Sequence, residues 1–181
     1  MSETDFFRGR RVLITGHTGF KGAWLSLLLL RAGAEVTGYA LEPEATPNLY
    51  SLLHLEQDMH SVFGDVRDSD SFLSAFSQAK PEIVLHLAAQ PLVRESYRLP
   101  RDTFVINAIG TVNMLECVRR SGEAVSVLNV TTDKVYKNEE RTVAFREEDA
   151  LGGFDPYSAS KACSEIVTQS YRSSFLSGHG T

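Results

Sequence analysis

Two side chains set four apart, Tyr157 and Lys161, stand in the run Tyr157-Ser158-Ala159-Ser160-Lys161. On a helix, residues i and i+4 share a face, so a phenol and an ammonium would be neighbours there. A cation beside a phenol favours the phenolate, which makes Tyr157 a candidate proton acceptor and Lys161 its partner. Lys161 also has donors for a ribose hydroxyl. Alone, Y-x-x-x-K is common by chance, and a solvated helix face is its ordinary meaning. Two further groups raise its standing. Thr131-Thr132-Asp133-Lys134 gathers hydroxyls, a carboxylate and an ammonium. Near the N-terminus, Gly16-His17-Thr18-Gly19-Phe20-Lys21-Gly22 is a G-x-x-G-x-x-G loop. In such a loop the first glycine makes a tight turn and the second lets the backbone approach a pyrophosphate. The third lets helix pack closely on strand, and the helix N-terminus offers N–H groups to the anion.

That loop has meaning only between a strand and a helix. Arg11–Thr15 (RVLIT) predicts a buried strand, and Phe20–Arg31 predicts a helix carrying Trp24, Leu25, Leu28 and Leu29, with Gly33 at its stop. Glu35–Ala40 predicts a second strand, Glu42–Asn48 a loop with Pro43 and Pro47, and Leu49–Leu55 a turn or two of helix. Ser61–Gly64 follows as a third strand, and Ser69–Ala79 as a helix with Phe72, Leu73 and Phe76 on one face. Glu82–Ala88 is continuously apolar, as in a strand covered on both sides. Arg101–Arg120 predicts a long helix and Ala124–Val130 a fifth strand. Asp155 and Pro156 suit the N-cap and first turn of a last helix running to about Phe175. The alternation predicts an α/β fold, a doubly wound parallel sheet of Rossmann type. Thr132 and its neighbours then begin where the fifth strand ends, on the carboxyl edge where ligands bind in such sheets. Gln90 and Arg94 follow the fourth strand on that edge, Arg94 being as suited to a helix surface as to a substrate. Asp65-Val66, after the third strand, is placed to take an adenine amino group on the Asp65 carboxylate, or else to cap a helix.

The 181 residues hold 18 Lys+Arg against 23 Asp+Glu, a net charge of −5. That balance argues against a non-specific nucleic-acid binder, which needs clustered basic residues. The longest apolar stretch, Ala23–Leu30 broken by Ser26, is far short of the ~20 residues that cross a bilayer, and Met1–Arg11 has no secretory apolar region. Cys117 and Cys163 form no C-x-x-C and read as buried thiols of a reducing compartment, so a cytoplasmic protein is expected. His17, His54, His60, His86 and His179 show no metal-ligand spacing, and no metal is expected; His17 and His86 read as packing or backbone-bonded residues. At the end of the second strand Ala40 is neutral, with Glu42 beyond it. No Lys or Arg lies between Arg31 and Arg67 to meet a 2′-phosphate, although Lys21 is within possible reach. The balance favours NAD. The chain ends directly after its fifth strand–helix unit, so residues 1–181 are expected to form an incomplete Rossmann domain, with a strand and a substrate-covering part beyond Thr181.

Six segments carry a resemblance: ITGHTGFKGAWLSLLL (14–29), GDVRD (64–68), HLAAQPLVRESY (86–97), NAIGTVNMLE (107–116), TTDKVYKN (131–138) and GGFDPYSASKACSE (152–165). They resemble the extended short-chain dehydrogenase/reductases, and among these the sugar-nucleotide 4,6-dehydratases. Many of those have Asp-Glu where this chain has Asp133-Lys134, and the lysine resembles the CDP-glucose branch. The resemblance implies NAD held by Gly16, Thr18, Gly19, Phe20, Lys21, Gly22, Asp65, Val66, Leu87, Ala88, Ala89, Tyr157 and Lys161. It implies a nucleotide sugar met by Gln90, Arg94 and Thr132, and catalysis by Thr132, Asp133, Lys134, Tyr157 and Lys161. The implied chemistry is an internal redox cycle that turns CDP-glucose into CDP-4-dehydro-6-deoxyglucose, a step of deoxysugar synthesis such as that of lipopolysaccharide O-antigen. Lys134 would serve as the C5 base if burial kept it neutral, or would only hold Asp133 or the substrate. The resemblance further implies a homodimer or higher homo-oligomer paired through Arg101–Arg120 and Pro156–Phe175, using Phe104, Ala108, Val112 and Leu115 with Ala159, Cys163, Ile166 and Val167. A sugar-nucleotide epimerase or reductase would share Tyr157 and Lys161 without needing an acid at Asp133. A non-catalytic dinucleotide-binding module typically lacks the Tyr–Lys pair.

Overall fold

The computed structural model describes residues 3–43, 45–138, 140 and 142–176. At its centre β1 (Arg11–Thr15) is buried from Val12 onward, between β2 (Glu35–Ala40) and β4 (Ile83–His86). β3 (His60–Phe63) flanks β2 and β5 (Ser126–Asn129) flanks β4, so the order is β3-β2-β1-β4-β5 with every pair parallel. Alternate residues of each strand serve opposite faces. Val12, Ile14, Val36, Ile83 and Leu85 pack with α1 (Phe20–Arg31) and α2 (Leu49–Leu52). Leu13, Tyr39 and Val84 pack on the other side with Phe72 and Phe76 of α3 (Ser69–Ala79). This is the doubly wound sheet expected from the alternation.

The connection after β4 holds what the apolar pattern did not show. A short helix, α4 (Val93–Arg98), precedes α5 (Pro100–Phe104), whose first residue is a proline that needs no intrahelical donor. The long helix expected over Arg101–Arg120 is present but not uniform. A π-helical turn, Val105–Ile109, joins α5 to α6 (Gly110–Ser121), and Gly122 ends α6 with φ +66°. Buried polar side chains occupy the bulge. Thr111 Oγ1 donates to the Asn107 carbonyl at 2.7 Å, and the Asn107 amide accepts Gln90 N at 2.8 Å. Its Nδ2 donates to the Gln90 carbonyl at 3.1 Å and to Ser160 Oγ at 2.8 Å. The last helix, α7 (Pro156–Tyr171), starts as predicted: Asp155 accepts from Ser158 N at 3.0 Å, and Pro156 opens the first turn. It continues as a π turn, Arg172–Leu176.

Other boundaries shift by a residue or two, because flanking apolar residues such as Leu87 and Val130 lie just outside the paired register. The helix expected over Leu49–Leu55 stops at Leu52. His54 then adopts φ 52°, and a separate 3₁₀ turn covers Leu55–Gln57. Cys117 is buried, Cys163 is half-buried and both are free thiols; burial pushes Cys117 up to about 11. Of the residues assigned to a subunit face, Leu115 is 1% exposed and belongs to the core, and Val167 packs against it. Both correct the interface expectation, since one side of each helix must cover the sheet. What remains outward includes Ile109 at 48% and Ile166 at 54% exposure. Among the described residues, no helix is long and apolar enough to cross a membrane.

Asn107→Ala should therefore cost about 2–4 kcal/mol, because it strands buried partners on Gln90 and Ser160. Urea denaturation measures this. A loss below 0.5 kcal/mol would show that the bulge is not held by its amide.

Candidate active site at the carboxyl edge of the sheet

Four of the expected groups converge where β1, β4 and β5 end. The glycine loop leaves β1 with Gly16 at φ +78°, where a Cβ would meet Ala88 N at 2.9 Å. A Cβ on Gly22 would lie 2.1 Å from the Gly16 carbonyl. The close contacts among loop, β4 and α1 thus exclude side chains at both positions. Gly19, the residue before α1, offers no side-chain cap, so the first-turn N–H groups, including those of Phe20 and Lys21, face outward for an anion. A dinucleotide pyrophosphate fits this cradle. Thr18 is tied inward, its hydroxyl donating to the Leu41 carbonyl at 3.0 Å, while the Phe20 and Lys21 side chains are exposed.

Asp65, just past β3, is held in place by its own loop. Its carboxylate accepts Arg67 Nη2 at 2.6 Å, Arg67 Nε at 2.9 Å and Arg67 N at 2.9 Å. The Arg67 side chain is the main reason that carboxyl titrates below the usual range. Asp68, not Asp65, caps α3. Val66 is buried, and its carbonyl accepts Asn113 Nδ2 at 2.8 Å, so only backbone is presented here. Leu87, Ala88 and Ala89 run half-buried from the end of β4, and Thr15 Oγ1 accepts the N–H groups of Leu87 and Ala88 at 3.1 Å each.

The Gln90 amide is engaged internally. It donates to Thr103 Oγ1 at 2.9 Å and Leu92 O at 3.2 Å, and accepts Leu92 N at 2.6 Å, so Gln90 shapes this loop. Arg94 is exposed on α4.

On α7, Tyr157 is half-buried and Lys161 is 5% exposed. Lys161 Nζ donates to the Val130 carbonyl, just past β5, at 3.1 Å. Burial pushes its ammonium down from 10.5 to about 8, and Glu165 pulls weakly the other way. Glu165 itself takes the Thr131 hydroxyl. One residue on, Thr132 Oγ1 donates to Asp133 Oδ1 at 3.0 Å and opens a 3₁₀ turn, Asp133–Val135. Asp133 and Lys134 are exposed on the wall of a cleft of about 640 Å³ shared with Tyr136, Phe145, Phe154, Asp155 and Ser158. The burial that a Lys134 base calls for is not supplied by the described residues. Burial favours a neutral Asp155, but hydrogen bonds from Ser158 Oγ and N outweigh it and hold the carboxyl low. A smaller cleft of about 260 Å³ lies at the opposite end of β5, between Val118, Ser126 and Leu176.

Both histidines are buried, as expected. His17 packs beneath the glycine loop between Tyr50 and Phe63, and burial lowers its pKa to about 4. A Cβ on Gly38 would fall 2.3 Å from its ring. His86 bonds Thr15 Oγ1 through Nδ1 at 2.8 Å, and burial lowers it to about 3. The residues that sequence reasoning missed are Asn107, Asn129, Ser160 and Ser164, which join α7 to the π turn and β5. Their signal was a polar type on a helix or strand face that must be covered.

The sequence profile of the GDP-mannose 4,6-dehydratase family matches residues 13–177, nearly the whole chain. The chain belongs to the NAD-dependent sugar dehydratases of the extended short-chain dehydrogenase/reductase family. CDP-glucose 4,6-dehydratase from Salmonella typhimurium (strain LT2) is 47% identical over 176 residues, 97% of this chain and 49% of its own. GDP-mannose 4,6-dehydratase from Sordaria araneosa is 30% identical over 177 residues, 97% of this chain and 32% of its own. An epimerase from Methanothermobacter thermautotrophicus superposes with a TM-score of 0.83 at 23% identity, covering 96% of this chain and 51% of its own. UDP-glucose 4-epimerase from Brucella ovis, solved in complex with NAD, gives 0.79 at 23% identity, covering 92% and 49%. The last two show the fold. The chain spans about half, or less, of the length of these dehydratases and epimerases.

A lysine charged when unfolded up to 10.5 but only to about 8 when folded opposes folding below pH 8. Between those values the unfolded state binds more protons, so stability rises with pH. Lys161 should thus add up to ~3 kcal/mol of stability as pH climbs from 8 to 10.5, a gain missing from Lys161→Met. Urea midpoints of the two chains at pH 7.5 and 10.5 check it. Parallel pH dependence would refute the buried ammonium.

Proposed function

We propose that this chain carries the dinucleotide site and catalytic residues of a CDP-glucose 4,6-dehydratase. NAD, when bound, would supply the hydride acceptor and then return the hydride within one turnover. The glycine cradle and α1 N-terminus would hold its pyrophosphate, and Lys161 its nicotinamide ribose. The sugar would lie in the cleft beside Asp133. There Tyr157 takes the proton of the 4-hydroxyl as the C4–H bond breaks. Thr132 donates a hydrogen bond to the same oxygen, which requires its hydroxyl to turn from Asp133. The resulting 4-keto group acidifies C5–H. Loss of that proton expels the C6 hydroxyl, which leaves as water with a proton from the Asp133 carboxyl. Hydride at C6 and a proton at C5 complete CDP-4-dehydro-6-deoxyglucose.

The observation that carries this reading is the Thr132–Asp133 pair, two and three residues past the carbonyl that holds Lys161, with Asp133 on the cleft wall. An epimerase has no use for an acid there. The 47% identity to the Salmonella enzyme supports the choice of CDP-glucose. Outward Ile109 and Ile166 support pairing of two copies through the π turn and α7.

In the protein at the full length of its relatives, Tyr157→Phe should lower formation of the 4-keto sugar more than 100-fold while NAD binding survives. Asp133→Asn should still reduce bound NAD, so absorbance near 340 nm accumulates while elimination slows. An Asp133→Asn enzyme that forms no reduced cofactor would move Asp133 to the oxidation step and remove the argument for dehydration. Light scattering should give a dimer at micromolar concentration, and Ile166→Glu a monomer. A wild-type monomer would refute the pairing.

A further inference from the structure

Two buried polar atoms on neighbouring strands have no protein partner: Nε2 of His86 and Oδ1 of Asn129. The two residues are register partners of β4 and β5, so they project to the same face of the sheet. That face is the one covered by α7, because Asn129 bonds Ser164 and Thr168.

The hydrogens can be assigned. Thr15 Oγ1 accepts the Ala88 N–H and shares the Leu87 N–H with the Thr15 carbonyl, each at 3.1 Å, which leaves its own proton for His86 Nδ1. Burial keeps the imidazole neutral, and its one hydrogen then sits on Nε2. Asn129 gives its two amide hydrogens to Ser164 Oγ and Thr168 Oγ1, 2.9 Å each, which leaves Oδ1 as an acceptor. A donor and an acceptor therefore face one layer between sheet and helix. Either left alone there is costly. The third group is Lys161, one turn before Ser164, whose charge is near enough to lower the basicity of His86. It uses one of three hydrogens on Val130.

We propose that His86, Asn129 and Lys161 hold a single internal water, which accepts from His86 Nε2–H and the Lys161 ammonium and donates to Asn129 Oδ1. Three such bonds are usual for a buried water. A cation is excluded by the Nε2 hydrogen and the ammonium, and an anion by the amide oxygen. His86 and Asn129 are then positioning residues for Lys161. The water gives the ammonium a second oxygen besides the Val130 carbonyl, and so favours its charged form. Glu165 on α7 acts on the Lys161 charge, and that charge acts in turn on His86 of β4. Only the word positioning rests on the proposed function; the water site does not.

The test uses the 181-residue chain without substrate. Long-range ¹H–¹⁵N spectra should show His86 as the Nε2–H tautomer from pH 8 down to 5, with a cross-peak from that hydrogen to a long-lived water. An Nδ1–H tautomer, or a buried Nε2–H without the water contact, would overturn the proposal. The Lys161 ammonium, followed by its ¹³Cε shift, should titrate near pH 8 in the unaltered chain. His86→Leu should bring the midpoint to pH 7 or below, while His86→Gln, which keeps a donor and an acceptor, should restore it. An unchanged midpoint in His86→Leu sinks the positioning role. Where that variant does not fold, the tautomer and water contact of the unaltered chain decide. None of these readings depends on turnover, so their failure would leave the dehydratase proposal standing, and its failure would leave them.

Discussion

The placement of Tyr157 and Lys161 depends on how α7 is gripped. The helix face turned inward is Ser158, Ser160, Lys161, Ala162 and Ser164, small and mostly polar, so apolar burial alone cannot fix its rotation. Directional bonds do that instead. Ser160 meets Asn107, while Ser164 meets both Thr111 and Asn129. Lys161 reaches the carbonyl beyond β5, and at the far end Tyr171 donates to Glu116 on α6 at 2.9 Å. A greasy contact tolerates a slide of a few tenths of an ångström, whereas a row of hydrogen bonds in a low-dielectric layer does not. The π turn belongs to this grip, since the extra residue in the helix aims Asn107 and Thr111 at α7 together.

Electrostatics follow from the same burial. Placing an ammonium and an imidazole under α7 removes both from water, and both become easier to hold neutral. The exposed Asp133 and Lys134 keep their contact with solvent across the cleft. One edge of the sheet thus carries two environments, a dry one around Lys161 and His86 and a wet one around Asp133 and Lys134.

How much of this could be read from the chain alone differs by element. β1, α1, β2 and α3 were legible to the residue, because their apolar patterns are unbroken and Gly33 stops α1. The Tyr157–Lys161 face was legible because Asp155-Pro156 fixes where the helix starts. The region from Gln90 to Ile109 was not. Its contacts are polar, non-local and made by residues whose types suit a surface equally well, as with the Gln90 amide. The pairing of Asp65 with Arg67 was hidden for a related reason: nothing in the residue types says that an arginine two positions on folds back onto the carboxylate.

The ring of His17 seated where Gly38 lacks a side chain links two positions that are distant in sequence and adjacent in space. Over evolutionary time the pair can drift only in one order. A smaller residue at 17 must arise first, leaving a hollow that the neighbouring rings tolerate, before any side chain can enter at 38. The reverse path passes through a clash under the glycine loop. A lineage that has filled position 38 is thereby barred from regaining the histidine, so the glycine records a choice of loop as much as a requirement of the strand.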